Sequence, residues 1–443
     1  MLDERWADRD ARAVPQWTRR QAAGIRRTDE TVAPIVYPPD EQTDRDLHIW
    51  DTWLLRNRDG SIAEIDGYRV ILSLTAPAAL LPGKRHDVAT LRYFYSTDGR
   101  DWTCGGPVFE DGAAFGSRQW AGSALYDDGQ LYFFYTAAGS RGEDELTYTQ
   151  RIAVGSGGTI TTDGDGLSIT GPFDHEILLE PDGEHYEREA QSRGMIYTFR
   201  DPWFFEDPQT GETCLLFEAN TPIPDPDREA RFDVDRDALD FNGSVGVAVS
   251  PSGDPTEWEL DAPLLEAVGT NQELERPHVI VQDGSYYLFI SSHEHTFEPG
   301  LEGYDALYGF VADSLRGEYT PLNGSGLVVT NPADAPFQTY SWLAYPHREE
   351  ILVSSFFNYY DLQGLSLDDV AHLPPAEQQR RFGGTLAPTL RLTANSDETR
   401  LLGALEHGHL PLPDEDLPRL LAEYVADTND RTKTTYGDGD ARR

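Results

Sequence analysis

Three carboxylates in this chain of 443 residues sit in surroundings unusual for acidic side chains. Asp51 falls between two tryptophans in His48-Ile49-Trp50-Asp51-Thr52-Trp53. A carboxylate in so apolar a setting needs a reason to be ionised. A sugar site supplies one, with aromatic walls stacking on the ring and the carboxylate facing its anomeric carbon. A solvated aspartate at a strand end, with Trp50 and Trp53 in the core, is an equally good local reading. Asp201 lies in Thr198-Phe199-Arg200-Asp201-Pro202-Trp203. The adjacent Arg200 favours the charged carboxylate, and Pro202 fixes the exit of a strand. An ordinary structural ion pair explains that motif as well. Glu275 follows Glu273 by two residues in Gln272-Glu273-Leu274-Glu275-Arg276-Pro277. On a strand both side chains point to one face, where mutual repulsion raises one of them towards the range of a general acid. Alone that pair says little in an acidic protein. The three together say more, because retaining glycosidases set a carboxylate nucleophile about 5–5.5 Å from a protonated carboxylic acid. A third carboxylate holding sugar hydroxyls strengthens a charged transition state.

The elements that must position these residues are β-strands. Leu131 to Tyr135, Cys214 to Phe217 and Tyr286 to Ile290 are short aromatic or apolar runs. The first and last follow Asp128-Gly129 and Asp283-Gly284, which are hairpin turn signals, with further strands upstream from Gly122 to Tyr126 and His278 to Gln282. A strand, a polar turn and an aromatic recur at Tyr93 to Trp102, Val245 to Trp258 and Tyr308 to Tyr319. Many short antiparallel strands in loosely repeating units indicate an all-β propeller, whereas a β-sandwich would rarely need so many hairpins. Helix signals are confined to the ends, over Asp3 to Ala23 and Asp414 to Ala426, with a polar tail beyond. The expected organisation is an N-terminal arm over 1–40, a catalytic propeller over 41–405, and a C-terminal helix and tail over 406–443.

Composition narrows the partners. Asp and Glu number 77 against 36 Lys and Arg, a net charge of −41, so nucleic acid is a poor partner. Only Lys84 and Lys433 are lysines, a scarcity that resembles proteins of salt-in halophilic archaea. Excess surface charge keeps such a protein soluble but self-repels, and molar salt screens the repulsion. The chain should therefore unfold in dilute buffer. No apolar run approaches the roughly 20 residues of a membrane helix. Cys104 and Cys214 are too few for a disulfide framework or a thiolate metal site. Met1 to Ala23 is charged throughout and lacks the apolar core of a signal peptide.

From about Trp50 to Thr389 the chain resembles the fructansucrases of glycoside hydrolase family 68, the levansucrases and inulosucrases. The resemblance rests on Trp-Asp-Thr-Trp, Arg-Asp-Pro and Glu-Arg-Pro, in that order and at family-like spacing. It implies a five-bladed propeller in which Asp51 is the nucleophile, Asp201 the transition-state stabiliser and Glu275 the general acid/base. It further implies Trp50 and Trp120 as walls of the fructosyl pocket and Arg200 as an arginine reaching both sugars of sucrose. Arg276 joins the substrate-binding set, Glu273 and His293 stand on the acceptor side, and Tyr340 is hydrogen-bonded near the acid/base. Ala121 departs from the family, standing where many members have a serine that supports the nucleophile. Met195 and Gln272 stand where acidic ligands of a structural calcium would be, so no metal and no cofactor is expected. The implied enzyme is a monomeric, extracellular fructosyltransferase acting on sucrose and fructo-oligosaccharides or fructan. Similarity to haloarchaeal members favours inulosucrase over levansucrase. A mainly hydrolytic β-fructofuranosidase is the nearest alternative. A non-catalytic carbohydrate-binding propeller is a more distant one, since it would not need all three carboxylates.

Overall fold

Alternation of apolar and polar residues, punctuated by tight turns, folds the chain into successive antiparallel hairpins. Asp128 and Gly129 take φ of 47° and 83°, and Asp283 and Gly284 take 51° and 82°. These left-handed pairs match the right-handed twist of the strands they join. The computed structural model describes residues 13–164, 166–223, 231, 232 and 234–417.

Five antiparallel runs follow one another. They open on β1 (Leu47–Asn57), β2 (Arg118–Asp127), β3 (Phe199–Glu206), β4 (Glu275–Gln282) and β5 (Thr339–His347). The first two runs share a nine-stranded sheet, because Leu55–Asn57 pairs in parallel with Ala124–Tyr126. The other runs are sheets of four, five and five strands. The opening strands neighbour one another cyclically, from β1 through β2, β3 and β4 to β5, which returns against β1. Each faces its neighbours on both sides, which is why β3 and β5 are buried along most of their length even where they carry Arg200, Asp201 and Ser341.

All five opening strands are interrupted toward their N-terminal ends. The pairing register slips between Trp50 and Thr52, Trp120 and Gly122, Arg200 and Trp203, Glu275 and His278, and Tyr340 and Leu343. Asp51, Asp201, Arg276 and Ser341, at four of these bulges, take φ of 40°, 59°, 50° and 59°. A non-glycine residue in this region costs about 1–2 kcal/mol, and the bulge re-aims its side chain. Ala121 occupies the corresponding place in β2. Here the structure corrects one expectation: Pro202 does not end its strand, which runs on to Glu206. A bulge tolerates the missing N–H.

The helix expectations also change. Within Asp3 to Ala23, residues 3–12 lie outside the described part, and the remainder contains only the four-residue helix Arg19–Ala22. Trp17 is wholly buried instead, edge-on to Phe297 and Phe310, with its indole N–H donating to Ser325 O at 3.1 Å. That burial draws the arm out as an extended strap, with Gln16 and Val32 bridging to Glu266 and Thr330. Most of the expected helix Asp414 to Ala426 lies outside the described residues, and 414–417 are not helical. Short helices instead occur inside the body, at Leu367–Ala371, capped by Ser366, and at Pro375–Arg380. Both cysteines are free.

Candidate active site

The bulged N-terminal stretches of the opening strands converge on one cluster. Arg200 on β3 is its hub. Its Nε donates to Glu218 Oε2 at 2.6 Å, and its Nη2 donates to Glu273 Oε1 at 2.9 Å and Glu275 Oε1 at 3.0 Å. Glu218 lies directly across from Arg200 on the next strand, Thr213–Asn220, and is wholly buried. Glu273 and Glu275 thus share a guanidinium, rather than facing each other without compensation as their spacing alone suggested. Carboxylate oxygens of Asp201, Glu218 and Glu275 lie within 4.8 Å of one another, a spacing that could hold a cation. Arg200 already supplies the counter-charge to two of the three.

Glu275 has further partners. The Tyr340 hydroxyl donates to its Oε2. His293 stacks on Tyr340, with centroids 3.8 Å apart and planes at 14°, and places Nε2 3.8 Å from Glu275. Its Nδ1 is 3.0 Å from Asp305 Oδ2. Although Glu294 and His295 follow it in sequence, His293 is no surface histidine. Burial alone would lower its pKa, but the Asp305 carboxylate, then Glu275 and Glu273, push it up to about 9.

Arg276 ties the other carboxylates together. Its backbone N–H donates to Asp201 Oδ2 at 3.1 Å. Its Nη1 donates to Ser341 O at 2.9 Å and Ser341 Oγ at 2.7 Å, and its Nη2 to Thr52 O at 2.7 Å. Ser341 is the hydroxyl partner of Asp51, whose pKa burial raises while Arg276 and Ser341 hold it down. Burial likewise pushes Asp201 up to about 7, with Arg200 opposing and Glu275 and Asp51 adding to the rise. Arg200 does favour the charged form of Asp201, as expected, but burial opposes it. The arginine next to it in sequence spends its donors on three other carboxylates, and desolvation dominates. Thr136 accepts the Asp201 N–H at 2.9 Å and donates to Ala121 O at 3.0 Å.

The two tryptophans expected to wall the pocket, Trp120 and Trp50, differ in exposure. Trp120 is partly exposed and donates to His86 O at 3.3 Å. Trp50 is wholly buried, with its ring edge-on to His86 at 5.3 Å and the Arg85 guanidinium 5.5 Å away. Gln272 holds neutral chemistry where acidic ligands were looked for: its carboxamide accepts from Met195 N–H at 2.9 Å and donates to Ile196 O at 2.8 Å.

Four residues escaped the sequence reading. Glu218 carried a signal, an acid inside the apolar run Cys214 to Phe217 and Ala219. Arg85, His86 and Ser341 carried none, because nothing local says which loop or bulge meets which strand. A cavity of about 660 Å³, lined by Arg56, Trp203, Val281 and His347, contains none of the cluster's carboxylates.

Comparison with known proteins agrees with this chemistry. A family model described as Levansucrase/Invertase matches residues 7–411. A levansucrase of Rahnella aquatilis is 33% identical over 432 residues, covering 89% of this chain and 96% of its own. An extracellular sucrase of Zymomonas mobilis is 35% identical over 416 residues, covering 89% and 95%. An inulosucrase from Halalkalicoccus jeotgali, solved bound to kestose, is 67% identical with a TM-score of 0.90, covering 92% of this chain and 100% of that one. The chain belongs to the levansucrase/invertase family, glycoside hydrolase family 68, and is a fructansucrase enzyme.

Proposed function

We propose that the protein cleaves sucrose by a retaining double displacement and transfers the fructosyl group to sucrose or a growing fructan. Asp51 attacks the fructosyl anomeric carbon while Glu275 protonates the departing glucosyl oxygen, leaving glucose and a covalent fructosyl-enzyme. Glu275 then takes the proton of the incoming hydroxyl as the ester bond to Asp51 breaks. Asp201 holds fructosyl hydroxyls as charge develops on the ring. Trp50, Trp120, Arg200 and Arg276 form the donor side, and Glu273, His293 and Tyr340 the acceptor side.

The observation that carries this reading is the convergence of Asp51, Asp201 and Glu275, from three different strands, on a site laced by Arg200 and Arg276. The cyclic order of the five opening strands supports a five-bladed propeller, each run being one blade. We take 41–405 as the catalytic unit and 1–40 and 406–443 as arms on it. The site's residues need neither metal nor cofactor for this chemistry. The 67% identical inulosucrase favours β(2→1) linkage, and the 35% identical extracellular sucrase favours action outside the cell.

The test is to quantify glucose and free fructose released from sucrose in molar salt. Glucose in clear excess is expected for transfer, and NMR of the product then reads the linkage. Equal amounts would make the enzyme a β-fructofuranosidase, and release of neither would overturn the reading.

A further inference from the structure

The cavity of about 660 Å³ lies between the C-terminal stretches of β1, β3, β4 and β5, which line it through Arg56, Trp203, Val281 and His347. The carboxylate cluster gathers at the N-terminal stretches of the same strands, so the two places are distinct. Arg56 is 6% exposed, with its guanidinium 3.5 Å above the centre of the Trp203 ring and its Nη2 donating to Phe204 O at 2.7 Å. Its Nε has no protein partner, and neither have two other buried nitrogens of the lining, Trp203 Nε1 and His347 Nε2. Among the described residues no carboxylate pairs with Arg56, and burial alone pulls its pKa down, to about 9. The group is still charged at neutral pH. Three carboxylates line the cavity, and each is engaged elsewhere. Asp59 accepts from Ser61, Glu64 faces Arg69 at 4.0 Å, and Glu206 pairs with Arg58 at 3.1 Å. Of the other arginines there, Arg69 donates to Pro411 O at 2.7 Å and Arg348 to Pro413 O at 2.9 Å. In a chain with 77 acidic side chains against 36 basic ones, a buried arginine without a carboxylate calls for a counter-charge from outside.

We propose that this cavity binds a small monovalent inorganic anion, such as chloride, held by the Arg56 guanidinium. Water alone can satisfy the donors but does not neutralise a buried charge. At roughly 30 Å³ per water molecule, the cavity has room for an anion together with much of its hydration shell. Such a site is weak and fills in concentrated salt, the medium that screens a net charge of −41. Salt then acts on this protein twice, by screening the surface and by filling one site. The lining carboxylates repel a multiply charged anion more than a singly charged one. A sugar finds little open aromatic face there, because Arg56 lies over the Trp203 ring and His278 packs against it with centroids 5.5 Å apart.

The test uses bromide as the probe. Crystals of the full chain, grown or soaked in molar sodium bromide, should show an anomalous peak at the bromine edge inside the cavity, beside the Arg56 guanidinium. In solution, bromide NMR line broadening should contain a saturable part that chloride competes away. Arg56→Met should raise the Kd of that part at least about 10-fold, the loss expected for a hydrogen bond to a charged group, while circular dichroism and glucose release show the protein folded and active. Arg56→Lys should keep a portion of the affinity. Bromide confined to surface positions, or water alone in the cavity at molar bromide, would overturn the proposal. So would a segment of the chain seated against Arg56, or a saturable part unchanged by Arg56→Met. Should Arg56→Met fail to fold, the anomalous map of the unaltered protein decides alone.

Discussion

The two halves of the site are built to different densities. Asp51 is held sparsely, by the Ser341 hydroxyl and the nearby Arg276 guanidinium. Glu275 sits in a crowded network, touching Arg200 and Tyr340 directly, with His293 close by. Through Arg200 it is joined to Glu273 and Glu218. The difference follows from what each group is proposed to do. A nucleophile must stay ionised and leave a lone pair free, so one hydroxyl donor suffices, with the Arg276 and Arg85 charges nearby. A general acid/base changes charge twice per turnover, and its surroundings must tolerate both states.

The largest effect that sharpens this contrast is loss of either carboxylate. Asp51→Asn and Glu275→Gln should each lower kcat roughly 10⁴-fold in protein that still folds, checked by glucose release and circular dichroism. Near-normal turnover in either would sink that residue's role. Next comes the hub. Arg200→Met leaves the buried Glu218 and Glu273 without their cation, and should cost both activity and about 3–5 kcal/mol of stability, read by denaturant unfolding. The hub of the crowded half should cost more than the one hydroxyl support of the sparse half.

That support is the third test. Ser341→Ala removes a hydrogen bond to a charged group, worth about 1.5–3 kcal/mol, so kcat should fall roughly 10- to 100-fold. Placing a hydroxyl back with Ala121→Ser should recover part of the loss. Should Ser341→Ala leave kcat unchanged, the Arg276 and Arg85 charges suffice to hold the nucleophile. The smallest effect expected is on pH. His293 is protonated below about 9 and neutral above it, so acceptor-side steps should weaken as pH rises through that value. In His293→Gln the alkaline limb of the pH–rate profile should disappear, and persistence of the limb would assign it to another group.

Much of this was legible in the residues. Asp128-Gly129 and Asp283-Gly284 announced their hairpins because only a few residues accept left-handed backbone cheaply. Trp-Asp-Thr-Trp and Arg-Asp-Pro stood out because carboxylates rarely lie within apolar strands, and the structure brings both into one cluster. His293 was less legible, since its neighbours Glu294 and His295 look like a surface loop, while its stacking partner Tyr340 lies elsewhere in the chain. Over residues 13–23, the described part of the expected N-terminal helix, local sequence takes no account of Trp17 finding a pocket of Phe297, Tyr308 and Phe310. Tertiary packing outweighs helix propensity in so short a segment.

What the sequence determined by itself was the inventory: acidic groups set among aromatics, strands and turns, a surface of one sign, and the family. These are properties of local composition and spacing. The tertiary structure decided the partnerships. Arg200 and Glu275 are 75 positions apart, Arg276 and Ser341 are 65, and Arg276 reaches Thr52 across 224. It also decided that Arg200 serves Glu218, Glu273 and Glu275 while its sequence neighbour Asp201 is left with a raised pKa. Electrostatics acts through distance and burial, and neither is a function of position along the chain.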